Sequence, residues 1–153
     1  MATATYTATT FNNPPRQLHA GVNHVSGTYN AGTVVTSLGD VIFLAKIPHG
    51  ATILDILVDH SVNETACGVD YGLAKGHDNT GNASLSCFVS ALATATISRN
   101  TIRRGAGLGP QRVSVSDLDP VRYGIFACKP ATGSASTSLM VNFSITYRMD
   151  DVT

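Results

Sequence analysis

Residues 25–60 read VSGTYNAGTVVTSLGDVIFLAKIPHGATILDILVDH. Two apolar runs, 41–47 and 51–58, are separated only by Pro48, His49 and Gly50, and a Gly39-Asp40 turn signal precedes the first. That spacing predicts an antiparallel β-hairpin. The run Val41-Ile42-Phe43-Leu44-Ala45 has no polar interruption, so both faces of its strand are expected to be covered, as in the middle of a sandwich. Its charges are Asp40, Lys46, Asp55 and Asp59, and Ser, Thr, Gly and aliphatic residues make up most of the rest. Such a segment holds a shape and offers little for chemistry.

Strand signals recur on both sides of it. Residues 22–29 and 34–35 precede the two apolar runs, and 67–74 follow, with Val69, Tyr71 and Leu73 on one face and Asp70 and Gly72 on the other. Residues 113–115 and 121–128 read as strands joined at Asp119-Pro120. The last strand alternates most cleanly: Leu139, Val141, Phe143, Ile145, Tyr147 and Met149 share one face, and Met140, Asn142, Ser144, Thr146 and Arg148 share the other. One face belongs to a core, and the other to solvent or a partner. Leu85, Phe88, Val89 and Leu92 fall at i, i+3, i+4 and i+7, and Ser84 suits a cap, so one or two helical turns are expected near 84–93. Residues 76–82 are nearly all turn formers, and the glycine-rich connection 99–112 predicts no regular element. Seven or eight short strands at this spacing define an all-β antiparallel β-sandwich or jelly roll with at most a short helix.

The first twenty residues differ in character. Thr alternates with Ala and Tyr through 2–10, and Asn12-Asn13-Pro14-Pro15 then forces an extended or turning backbone. Residues 1–20 are therefore expected to form an extended amino-terminal arm that does not pack in the core, and 21–153 a single β-sandwich domain. The arm is either a frayed terminus or a segment that orders on a neighbouring subunit, with Tyr6 and Phe11 as apolar anchors.

A chain of 153 residues is about one domain and buries roughly 70% of its unfolded surface, enough for stability without disulfides. Cys67, Cys87 and Cys128 form no CxxC pair and sit among apolar neighbours, which suits reduced core residues and folding in a reducing cytoplasm. Ten basic and ten acidic residues cancel, with pI near 6.9, so no overall field draws nucleic acid or membrane. Only 13% of residues are charged, against about 25% in an ordinary soluble domain, so much of the surface is expected to meet a partner. The amino terminus lacks the basic and apolar regions of a signal peptide, and no run has the length of a membrane span, which predicts a soluble protein not exported by these signals. The glycosylation triplets at Asn63, Asn82 and Asn142 have no meaning without secretion.

The chemical motifs are mostly missing. No GxSxG, P-loop, HExxH, EF-hand or dinucleotide fingerprint is present. Gly105, Gly107 and Gly109 alternate, but no strand leads in and no helix follows to aim at a phosphate. His19, His24, His49, His60 and His77 read best as structural or loop residues, because Asp59-His60 and His77-Asp78 are chain neighbours that point apart in a strand. Asp55, Asp59 and Asp70 are the one carboxylate set for glycoside hydrolysis, and no tryptophan is present to stack a sugar. No metal, cofactor or catalytic residue is assigned.

Arg99, Arg103, Arg104 and Arg112 stand out because residues 91–116 contain no acid, giving a local charge of +4. Three readings fit: a solvated loop, a docking surface for an acidic partner, or a nucleic-acid contact. The last lacks interleaved aromatics for base stacking. Guanidinium forks on a Gly-rich loop suit carboxylates across an interface.

The run Lys-Ile-Pro-His-Gly-Ala-Thr-Ile-Leu-Asp at 46–55, the strand around Val69-Asp70-Tyr71-Gly72 and the final strand ending Tyr147-Arg148-Met149-Asp150 resemble a family of small structural proteins of tailed bacteriophages, the capsid decoration or cement proteins. The resemblance covers roughly residues 25–75 and 121–150, with P-x-G-A-x-I-L-D as its most specific part, and residues 76–109 match nothing in it. It implies a non-enzymatic virion protein with a jelly-roll or sandwich fold, made in the host cytoplasm. Such a protein binds the capsid exterior and bridges major capsid protein subunits. A homodimer or homotrimer suits capsid symmetry axes. The expected contact regions are the arm (Tyr6, Phe11, Pro14, Pro15) and the arginine loop (Arg99, Arg103, Arg104, Arg112). Two other classes remain: a head-fibre or tail module binding a receptor or glycan, which calls for aromatics on loops, and a hydrolase.

Overall fold

The computed structural model describes residues 4–12, 21–32, 36–48, 51–60, 68–74, 88–93, 99–101, 111–112, 123–132 and 139–149. In chain order these form β1 (Thr5–Thr7), a 3-10 turn (Thr9–Asn12), β2 (Gly21–Asn30), β3 (Val41–Pro48), β4 (Ala51–His60), β5 (Gly68–Ala74), β6 (Val89–Ala93), β7 (Arg99–Thr101), β8 (Gln111–Arg112), β9 (Tyr123–Thr132) and β10 (Met140–Met149). One sheet runs β1-β3-β9-β5-β6. The other runs β2-β10-β4-β7, with β8 also on β4.

Leaving out β1 and β8, eight strands remain. Lettered a to h in chain order, they lie as b-g-d-e in the first sheet and a-h-c-f in the second. This is the strand order of a jelly roll, the expected all-β sandwich. Its wiring corrects the predicted hairpin. β3 and β4 follow one another in sequence but belong to opposite sheets, β3 paired to β9 and β4 to β10. Apolar patterning says which side chains are buried, and it is equally satisfied whether two such strands pair edge to edge or face one another across a core. Here they face one another: Ile42, Leu44 and Ile47 meet Ile53, Ile56 and Val58 in one cluster between the sheets.

The two-sided burial expected of β3 is observed, with residues 41–45 all under 5% exposed. The alternation of β10 also holds: Val141, Phe143, Ile145 and Tyr147 are buried, and Asn142, Ser144 and Thr146 are half-exposed. Phe126 stands at the centre of the core, with ring centroids of Tyr71, Phe88 and Phe143 6.0 to 6.1 Å away. Cys128 is a buried core residue, and Cys67 and Cys87 lie outside the described residues.

Three further expectations change. The helix near 84–93 is, over Val89–Ala93, the strand β6. Val69 pairs with Leu92 and Tyr71 with Val89, so three steps on β6 answer two on β5. That bulge brings apolar residues three apart onto one face, which reproduces helix spacing over a short window. The ends of the 99–112 connection are strands, β7 and β8. Finally, residues 5–12 pack on the chain's own core, where Ala8 and Phe11 are buried.

Candidate interaction surface

The amino-terminal segment is held by a specific set of contacts. β1 runs parallel to β3, with Thr5, Tyr6 and Thr7 opposite Val41, Ile42 and Phe43. The buried Asp40 carboxylate accepts from the Ala4 N–H at 2.9 Å and from the Ser37 N–H at 2.8 Å. Gly39 makes the turn before it with φ +90°, a backbone state suited to glycine. Val41 N–H donates to Ala4 O, and Ala8 N–H to Phe43 O. Phe11 then inserts on the face of the first sheet turned away from the second, in a cluster with Val41, Phe43, Ala74, Ile125 and Ala127. Its ring lies 5.4 Å from that of Phe43, and the Lys46 ammonium sits 4.8 Å from its centroid. Phe11 is thus part of the outer cover that the β3 sequence requires. Tyr6 is half-buried against the main core. Thr10 reaches β2, where any Cβ at Gly27 would collide with the Thr10 side chain.

Arg99 and Arg112 lie on the far side. Arg99 is the register partner of Asp59 and Arg112 that of Thr52, both along the free side of β4. The seven residue steps from Thr52 to Asp59 span about 23 Å at about 3.3 Å per residue, so Arg99 and Arg112 mark two ends of one sheet edge. Their side chains, and Arg103, Arg104, Pro14 and Pro15 entirely, lie outside the described residues. The described contact candidates are therefore not gathered in one patch. Three strand spacings, about 14 Å, separate the β2 side, beside which the arm packs, from the β7/β8 side.

Between these edges the outward face of the second sheet carries residues that sequence reasoning did not assign. Register places Thr28, Asn142 and Asp59 in one row, Ser26, Ser144 and Leu57 in the next, and His24, Thr146 and Asp55 in a third. Thr28 Oγ1 donates to Asn142 Oδ1 at 2.7 Å. A shallow, open depression of about 280 Å³ is lined by Leu57, Asp59, Asn142 and Ser144. The period-2 pattern of β10 signalled this face, but only the register shows what stands beside it.

The titratable residues are dispersed. Asp55 and Asp59 lie on that outward face, while Asp70 lies on the outer side of the other sheet, accepting from Ser90 Oγ at 3.2 Å and paired with Lys129 at 3.7 Å. The carboxylate set considered for glycoside hydrolysis is therefore split across the sandwich. His24 is exposed on β2 and His60 is fully buried, while His19, His49 and His77 lie outside the described residues. His60 Nε2 bonds Tyr71 Oη at 2.5 Å across the two sheets, and its Nδ1 has no hydrogen-bond partner. Burial lowers the His60 pKa below the ordinary imidazole value, with nearby Asp59 opposing. Among the described residues no group of three His, Cys, Asp or Glu could hold a metal.

No protein-family model matches the chain, and no curated protein matches it. Two solved structures share its fold. A chain in the capsid of Ralstonia phage GP4 superposes with a TM-score of 0.68 at 13% identity, over 97% of this chain and 99% of that one. A chain of the cyanophage Pam1 capsid asymmetric unit superposes with a TM-score of 0.57 at 18% identity, over 90% and 91%. The coverage is end to end in both cases, so each is a protein of similar size built on the same β-sandwich.

Proposed function

We propose that this chain is a non-enzymatic virion protein that binds the outer surface of a phage capsid and bridges neighbouring major capsid protein subunits. The observation that carries the reading is the end-to-end fold match to chains of two phage capsids. The 46–55 sequence pattern and the charge-poor surface support it. A shell packed with DNA fails at its subunit seams, and a rigid sandwich straddling a seam adds buried area there. A standard interface covers about 800 Å² per partner, roughly a tenth of the 8113 Å² this chain exposes, so two such contacts fit on one copy.

The arginine-bearing β7/β8 edge is the contact we assign first, because Phe11 is committed to the chain's own fold. Pro14 and Pro15, beside the docked segment in sequence, remain candidates for the second contact. A glycan-binding module would present aromatic side chains, whereas the exposed large apolar residues among those described are Val22, Leu38 and Leu54. Arg103→Glu with Arg104→Glu tests the assignment. Capsid occupancy falls at least about tenfold if the edge docks on carboxylates, and unchanged occupancy removes the loop from the interface.

A further inference from the structure

A bulge in β4 places an apolar residue on the outer face of the second sheet. Ile56, Val58 and His60 are buried in steps of two, so unbroken alternation would send Leu54 inward as well. The register breaks instead: Thr146 of β10 pairs with Asp55 and Tyr147 with Ile53, which leaves Leu54 as the extra residue. Ile53 takes the core position at 3% exposure, and Leu54 is turned out at 38%. Bulges are a local device for re-aiming a side chain. Leu54 thereby joins Leu57, which is half-buried on the same outward face and lines the shallow depression there.

The surroundings of this leucine pair have the make-up of an interface centre. Arg148 is exposed on β10 opposite Thr52, Arg112 is the register partner of Thr52 on the other side, and Arg99 is that of Asp59. Each arginine position is one strand over from β4 and about 7 Å along it, two residues, from Leu54 or Leu57. Asp55 and Asp59 share the outward side of β4, so three arginines against two aspartates leave the patch net positive. Apolar centres with a polar rim, in which Arg is enriched, are where protein interfaces concentrate their binding energy.

We propose that Leu54 and Leu57 anchor the capsid contact, receiving an apolar side chain of a major capsid protein subunit that is flanked by a carboxylate. The inference rests on the capsid-binding reading and moves the centre of that contact from the β7/β8 edge onto the face of β4, with the edge as its rim. The patch is continuous with the arginine edge, because β7 and β8 both pair with β4. The occupant follows from its chemistry: a basic segment would meet like charge from the arginines, and a purely polar one would leave both leucines uncovered. An apolar side chain beside an acid satisfies both parts of the patch.

Full-length wild type and variants, each checked for folding by circular dichroism, are titrated onto phage capsids prepared without the protein, and bound protein is measured by sedimentation. Leu54→Asp is expected to raise the concentration for half-occupancy at least about tenfold, and Leu54→Met to keep it within about twofold. Ser26→Asp is the control for position, adding the same charge to the same outward face two strands away on β2, in the row of Ser144 and Leu57. It is expected to weaken binding by less than about threefold, as rim substitutions do. Photocrosslinking with p-benzoylphenylalanine in place of Leu54 is expected to give an adduct with the major capsid protein, and decides the matter alone if Leu54→Asp misfolds. Wild type left in the supernatant overturns the inference together with the capsid-binding reading. Wild type that binds while folded Leu54→Asp binds equally well, losses as large for Ser26→Asp as for Leu54→Asp, or no adduct from position 54, each overturns the inference alone.

Discussion

Replacing Phe11 with Ala tests whether the amino-terminal segment is held by the chain's own fold. The ring is 6% exposed, lies against Phe43 and beneath the Lys46 ammonium, and closes a cluster on the outer side of the first sheet. Truncating a buried Phe removes its transfer free energy and leaves a cavity, about 3–5 kcal/mol in protein cores. The Phe43 ring contact, worth about 0.5–1.5 kcal/mol, and the Lys46 contact, about 0.5–1 kcal/mol, are included in that loss. The site lies on the sheet's outer face, where neighbours can settle inward, which argues for the low end, about 3 kcal/mol. For a chain of this length that lowers Tm by about 6–12 °C. Thermal melts followed by circular dichroism on the isolated protein measure it, with Phe11→Leu as a control that keeps most of the buried volume and loses about 1 kcal/mol. A Phe11→Ala protein that melts within about 2 °C of wild type refutes the reasoning, and would mean the segment gains its contacts only on another subunit.

The remaining predictions concern neighbouring features. Gly27→Ala forces Thr10 away from β2 and is expected to destabilise by about 1–3 kcal/mol, with Thr10→Ala recovering part of the loss in a denaturant-melt double-mutant cycle. Asp40→Ala strands the Ala4 and Ser37 N–H groups. Net loss is about 2–3 kcal/mol, with faster amide exchange over residues 4–8 than in wild type. His60 carries a pKa lowered by burial, so the unfolded chain binds its proton more readily. Its stability contribution is full above the unfolded value of about 6.5 and is lost as pH falls below it, with a slope of at most about 1.4 kcal/mol per pH unit. Comparing melts of wild type and His60→Gln between pH 7 and pH 5 isolates this, and parallel curves would rule it out.

What could be read from residue order was burial, and what could not was partnership. The alternation in β10 and the unbroken run of β3 name their buried faces correctly, because side-chain direction follows directly from strand periodicity. Nothing in that periodicity says that β3 pairs with β9, whose nearest register pair, Pro48 and Tyr123, is seventy-five residues apart, rather than with β4, nor that Phe11 supplies β3's outer cover. The misread at 84–93 has a similar origin: Val89 and Leu92 share a face through a bulge, a feature of pairing with β5 and not of local sequence. The arm was legible as a distinct segment from its Thr-Ala alternation and Pro14-Pro15. Its docking was not, because the Asp40 clamp joins residues thirty-six apart. The arginines were found from the absence of acids around them. That Arg99 and Arg112 stand at two ends of one β4 edge needed the register.

The central claim is capsid binding, and reconstitution tests it most directly. Purified protein is added to phage capsids prepared without it, sedimented, and the loaded shells are heated alongside bare ones. Saturable co-sedimentation together with a higher temperature of shell rupture is the predicted result. Protein left in the supernatant, or bound without any gain in heat resistance, contradicts it.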